Sequence, residues 1–158
     1  MKKVIYALCL MPYALGVHAA PHTGFYKTID DKTNAPKSIV QLHECEDRLC
    51  GRIVALFDAD TGEISETIKA PVKIAEKVKG APKMSGLEII WDMKWDGTEY
   101  IGGKIMDPQS GSVYSSVIWQ DKDDASLLRV RGKVGPFGRT QVWHAITELP
   151  PELQGIDL

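Results

Sequence analysis

The chain has 158 residues, 44% of them hydrophobic and 25% charged, with a formal net charge of −2 at pH 7. That length supports a single domain with a real core, and that hydrophobic fraction excludes an intrinsically disordered chain. The mildly acidic balance argues against nucleic acid or an anionic lipid surface as the main partner.

Met1, Lys2 and Lys3 precede an apolar run over 4–17, and His18-Ala19-Ala20 precedes Pro21. This is the tripartite pattern of a secretory signal peptide, with cleavage after Ala19 or after Ala20. The run falls short of the roughly 20 apolar residues that a spanning helix needs, and Pro12 and Gly16 interrupt it. No membrane span is therefore predicted, and the product is expected in the periplasm or secreted. Cys9 leaves with the leader, because Tyr6-Ala7-Leu8 lacks the small residue that lipid attachment prefers. Losing Lys2 and Lys3 takes the net charge from −2 to −4.

Eight strands are predicted, over 24–29, 38–44, 50–57, 87–95, 100–106, 112–120, 126–134 and 139–147. Alternation is clearest in the fourth: Leu87, Ile89, Trp91, Met93 and Trp95 share one face, Glu88, Asp92, Lys94 and Asp96 the other, and Ile90 is the one intruder. One apolar and one charged face describe a half-buried strand. Asp96-Gly97, Asp107-Pro108-Gln109-Ser110-Gly111, the charged stretch 121–124 and Gly135-Pro136-Phe137-Gly138 supply turn chemistry between the later strands. Strands joined by short turns form a meander, and about eight of them remove their edges by closing into an up-and-down barrel.

Cys45 and Cys50 flank a turn between the second and third strands. In an oxidising compartment they read as a disulfide staple rather than a redox pair, which would want C-x-x-C spacing. Residues 58–86 break the rhythm: they are rich in Lys and Glu, place Ile64, Ile68, Val72 and Ala75 at helical spacing, and contain Pro71. They read as a short helical or irregular insertion, either a solvated excursion or a lid over one barrel mouth. Residues 149–158, with Pro150-Pro151, read as a flexible tail.

Several segments carry a family likeness. They are Gly24-Phe25-Tyr26-Lys27-Thr28-Ile29-Asp30-Asp31, Leu49-Cys50-Gly51-Arg52-Ile53-Val54, and Gly102-Gly103-Lys104-Ile105-Met106-Asp107-Pro108 with Gly111 and Tyr114. Val130-Arg131-Gly132 and Gly138-Arg139-Thr140-Gln141-Val142-Trp143 complete the set. Together, in order and over essentially the whole mature chain, they resemble the bacterial exported family known as domain of unknown function 2147. The resemblance implies a lipocalin-like or calycin-like β-barrel holding a small apolar molecule, and no established activity. The family usually has Trp where Tyr26 stands, and Arg where Ala145 stands. In lipocalins an Arg packs on that first Trp and closes one barrel end; here Arg131 or Arg139 over Tyr26, together with Trp143, is the expected substitute.

No constellation points to covalent chemistry. His22, His43 and His144 lie on different elements without metal-ligand spacing, His22 in a leader expected to be flexible. Ser115 and Ser116 lack a nucleophile elbow. The aspartates fall in turns, where they bond local backbone, and Asp58-Ala59-Asp60-Thr61-Gly62 lacks the later ligands of a calcium loop. The aromatics either fill the core or line a cavity, with Trp91, Met93, Trp119 and Tyr26 as candidate ligand-contacting residues.

The sequence therefore predicts an all-β, single antiparallel up-and-down barrel spanning 20–148, between a leader over 1–19 and a tail over 149–158. Its expected role is non-covalent binding of a small hydrophobic or amphipathic molecule, with no cofactor, no metal and no nucleic acid. The alternative is an envelope interaction module that uses the barrel as scaffold and residues 58–86 as the contact surface for a protein partner. An enzyme is the third reading, and it requires Asp107, Arg139 and His144 to gather at an open cavity.

Overall fold

The structure is a computed structural model that describes residues 22–156; the leader expected over 1–19 lies outside the described residues. Among the described residues nine strands form, all paired antiparallel. They are β1 (Gly24–Ile29), β2 (Pro36–Cys45), β3 (Arg48–Phe57), β4 (Ile64–Thr67), β5 (Glu88–Trp95), β6 (Tyr100–Met106), β7 (Val113–Gln120), β8 (Leu127–Val134) and β9 (Phe137–Ile146). β1 pairs with both β2 and β9, so the meander closes into an eight-stranded barrel, with β4 as an added strand on β3. Closure leaves no barrel strand with an unpaired edge.

The turns follow from their residues. Glu46 and Asp47, both at positive φ (46° and 61°), make the two-residue β2–β3 hairpin, the backbone twist that two-residue loops favour. The expected disulfide forms between Cys45 and Cys50. Because Cys45 pairs with Arg48 and Cys50 with His43, the bridge runs diagonally across the hairpin. Aspartates cap the other turns with their own carboxylates: Asp30 Oδ1 accepts from the amides of Lys32 and Thr33, Asp58 Oδ1 from Asp60 and Thr61, and Asp96 Oδ1 from Thr98 and Glu99. These backbone hydrogen bonds hold all three carboxyls below their ordinary pKa.

β3 is shared along its length. Its first half pairs with β5, from Leu49 opposite Met93 to Arg52 opposite Glu88, and its last residues pair with β4. β5 therefore diverges from β3 near the top of the barrel, and β4 with residues 68–87 occupies that side. No α-helix forms in this excursion. The helical spacing is overridden: Pro71 lacks an amide proton, and the Glu66 carboxylate takes the amides of Val72 (3.2 Å) and Lys73 (2.6 Å) that a helix would use. Ser85 Oγ donates to the same carboxylate at 2.7 Å, and a bridge joins Ile74 to Lys83, so the excursion is a pinned strap.

Among the described residues, apolar packing falls into two clusters. The inner one, in the barrel, includes Tyr26, Val40, Leu42, Leu49, Ile90, Met93, Ile118 and Trp143. The outer one joins Phe25, Ile39, Val54 and Ala55 to Leu153, with Leu149 and Ile156 at its margin. This corrects the expectation of a loose tail. Leu153, in a single 3-10 turn (Pro151–Leu153), is fully buried against the outer faces of the first strands.

Candidate ligand-binding site

Cross-strand partners fix which side chains point inward. Thr28 faces Trp143, which faces Leu128; Ile118 faces Val130 and Tyr100; Ser116 faces Gly103 and Gly132; and Ile90 faces Ile105, which faces Tyr114. Trp143, Leu128, Ile118, Val130, Tyr100 and Ile90 in these rows all belong to the inner cluster, so the rows face the barrel interior. The intervening residues, such as Lys104, Ser115, Lys133 and Arg129, lie outside.

One end of the interior is shut. The His22 ring stands edge-on to Trp95 (5.8 Å) and Tyr100 (6.2 Å), and Trp95 lies 4.9 Å from Tyr100. Tyr26 Oη donates to the His22 carbonyl at 3.0 Å. His22 is thus part of the plug, contrary to the expectation of a flexible leader residue. Burial lowers the His22 pKa and raises that of Tyr26. Burial, joined by Tyr26 and Glu44, also raises that of Tyr100. Ordinary neutral pH therefore keeps the plug uncharged. Above it Leu42, Leu49, Met93, Ile118 and Val130 are at most 1% exposed, so the lower half is packed through.

The other end differs. Ile105, Tyr114, Gly132 and Gln141 belong to inward-facing rows yet all keep partial exposure. A row of small residues, Gly103, Ser116 and Gly132, crosses β6, β7 and β8 between Ile105 and Tyr114 on the open-end side and the Ile118–Val130–Gln141 row on the closed-end side. Met93 Sδ occupies the space that a Cβ on Gly103 would take, whereas a Cβ on Gly132 would sit in ordinary contact, 3.5 Å from Ile105 and Tyr114. Gln141 Oε1 accepts from Trp143 Nε1 at 3.0 Å, and Thr28 Oγ1 lies 2.7 Å from Ser38 Oγ, so these polar groups are satisfied by neighbours. Ser116 Oγ is buried and, among the described residues, lacks a partner. At the rim Arg139, on the inward row beside Gly132, forms an ion pair with Asp31. The inward-facing residues of the upper half are thus partly exposed, and they mix the apolar Ile105 and the Tyr114 ring with a few polar groups.

Residues 24–145 match the model of a family described as an uncharacterized protein conserved in bacteria, DUF2147. The chain belongs to this family. A solved structure with the same architecture is protein HP1028 from the human pathogen Helicobacter pylori, described as belonging to the lipocalin family. It has a TM-score of 0.62 and 19% identity over 80% of this chain and 83% of that one. At that identity the likeness shows the fold alone: this DUF2147 member is a lipocalin-like barrel. No curated protein matches the chain.

Within this DUF2147 barrel the sequence-predicted residues divide. Met93 and Tyr26 point inward but are fully packed, in the mid-barrel and at the plug. Trp91 is opposite exposed Lys104 and Trp119 is opposite Arg129, so both are on the outer wall, which corrects the expectation that they line the cavity. The barrel-end arginines are also placed otherwise. Arg131 lies outside against Gly138, and Arg139 sits at the open rim, so neither reaches Tyr26, and His22, Trp95 and Tyr100 close the end instead. Trp143 is inward and buried, midway up the wall. His144, on the outer face opposite Leu127, is not gathered with Arg139 at the rim, so the grouping an enzyme reading requires does not form.

Sequence reasoning passed over Ile105, Tyr114, Gly132 and Gln141 as a wall. Tyr114 and Gly132 stood in the family segments, but only pairing register puts them on one inner face. A concavity of about 330 Å³, lined by Arg48, Asp92, Lys94, Ile101 and Gly102, lies on the outer wall where the β5–β6 ladder is interrupted. All five of its lining residues are exposed, so it is an open surface concavity.

Proposed function

We propose that this protein binds a small hydrophobic or amphipathic molecule non-covalently in the upper half of its barrel, in the periplasm or outside the cell. The observation that carries this reading is the difference between the halves: inward residues are sealed at one end and solvent-reachable at the other. Apolar walls with few polar groups are the ordinary lining of small-molecule sites, and barrels of this strand number have room for side chains or for one small ligand. The charged leader with its apolar run and the Cys45–Cys50 disulfide support export.

The test is titration with a fluorescent fatty acid. Gly132→Phe, which fills the chamber between Ile105 and Tyr114, is expected to weaken uptake at least tenfold while the circular dichroism spectrum stays that of the parent. Trp91→Ala and Trp119→Ala, on the outer wall, are expected to leave uptake unchanged. Equal uptake by Gly132→Phe and the parent rules out the upper chamber as the site.

A further inference from the structure

Exposed apolar residues gather at one end of this molecule. Among the described residues, the large hydrophobic side chains that stand clear of the surface are Val72 (67% exposed), Ile74 (46%), Ile101 (36%), Val113 (50%), Val134 (61%) and Phe137 (79%). All but Ile101 lie at the open end: Val72 and Ile74 on the strap, Val113 at the start of β7, and Val134 with Phe137 as the last cross-strand pair of the β8–β9 hairpin. Single exposed apolar residues are normal, but a group around one feature marks an interaction surface.

Charge is partitioned as well, which the net value conceals. The three connections at the closed end, 46–47, 96–99 and 121–126, contain seven acidic residues and one lysine. The strap contains Lys69, Lys73, Lys77, Lys79 and Lys83 against Glu76, and all five lysines are exposed. Among the acidic residues at the open end, the Asp30 and Asp58 carboxylates accept their own turns' amides and Asp31 pairs with Arg139. These carboxylates keep their charge, as do Asp60, Glu63 and Asp107, so the excess of positive charge is local to the strap, where five lysines stand against Glu76. The strap is anchored beside the mouth, where the Lys77 carbonyl abuts Gly111 of the β6–β7 turn.

We propose that the open end of the barrel docks on a bilayer that carries anionic headgroups. Phe137 and Val134, at the hairpin tip, enter the boundary between headgroups and acyl chains, and the strap lysines meet the lipid phosphates. Apolar burial and attraction between lysines and phosphates act together in this mode of peripheral attachment. It points the chamber at the membrane, so that an apolar molecule passes between bilayer and barrel without crossing water.

The test is sedimentation of the ligand-stripped mature protein with vesicles of phosphatidylcholine alone and of phosphatidylcholine with phosphatidylglycerol. Binding is expected to the anionic vesicles and to fall as salt is raised. The Val134→Ser, Phe137→Ser double variant is expected to bind at least tenfold more weakly, and Lys73→Glu with Lys77→Glu to lose the salt-sensitive part. Both pairs are exposed, so folding is checked by circular dichroism and fatty-acid uptake in solution, which separates a failure of docking from a failure of ligand binding. Sedimentation with neither vesicle, or parental binding by the double variant, overturns the proposal. So does crosslinking from position 137 to a protein in the absence of vesicle binding.

Discussion

Glu66 is the residue that decides the shape of the strap. It is 6% exposed and accepts from two backbone amides and a hydroxyl. Burial alone would raise its pKa, but the bonds from Ser85, Lys73 and Val72 outweigh burial and lower it. A depressed carboxylate stabilises the fold at pH above its unfolded value of about 4.5, and that contribution disappears as pH falls through the folded value. Glu66→Gln keeps the shape but loses the charge, and is expected to cost about 1–3 kcal/mol. Faster hydrogen exchange at the Val72 and Lys73 amides, in the variant at neutral pH and in the parent under acid, is the readout; unchanged exchange contradicts the anchor role.

The glycines of β6 and β8 make a matched pair at the same scale. A Cβ on Gly103 would come within 2.4 Å of the Trp91 carbonyl oxygen and 2.8 Å of the Met93 amide nitrogen, contacts that backbone cannot relieve cheaply. Gly103→Ala is expected to destabilise by about 2 kcal/mol or more, whereas Gly132→Ala, with its nearest contacts at 3.5 Å, should be close to neutral. Urea denaturation of the two variants compares them directly, and an equal loss contradicts the assigned inner-face geometry.

At the scale of elements, the first, second and third strands and the meander after residue 86 were legible because their alternation and turn residues agree. β5 shows where that signal ends. Ile90, the intruder in the apparent alternation, shares the core with Ile89, and the register shifts between the Gly51–Ile90 and Arg52–Glu88 pairs. That shift turns Trp91 outward, and a second irregularity at Asp92, with φ of 60°, brings Met93 and Trp95 back inside. Bulges are set by partner strands, so they leave no periodicity to read, and the cavity-wall assignment of Trp91 failed for that reason. The strap misled differently: its helical spacing was genuine, but the carboxylate that captures its amides belongs to β4.

The tail is the other element whose role lay outside local pattern, since Leu149, Leu153 and Ile156 acquire a face only when the outer surfaces of β1, β2 and β3 are in place. Leu153→Ala removes a fully buried side chain and is expected to lower stability by about 2–5 kcal/mol, read by thermal or urea melting. A loss under about 0.5 kcal/mol, the range of ordinary surface changes, would return the tail to a loose appendage. Reducing the Cys45–Cys50 bridge, which closes a short loop, should cost about 2 kcal/mol.

For the whole molecule, what matters is the contrast between its two ends. The plug of His22, Trp95, Tyr100 and Tyr26 and the packed layer above it make one end solid and acidic, while the other has a reachable inner wall, an apolar lip and a lysine-bearing strap. Barrel and strand order were readable from sequence because they rest on repeated local signals. Which half is open was not, because it depends on which inward positions stay exposed once the pairing register is set. One measurement tests the central claim most directly: native mass spectrometry, followed by solvent extraction, of the protein purified without detergent from its own compartment. A discrete added mass that extracts as a lipid or other small apolar molecule, and is absent from Gly132→Phe, is the predicted result; a clean unliganded mass for the parent protein would contradict it.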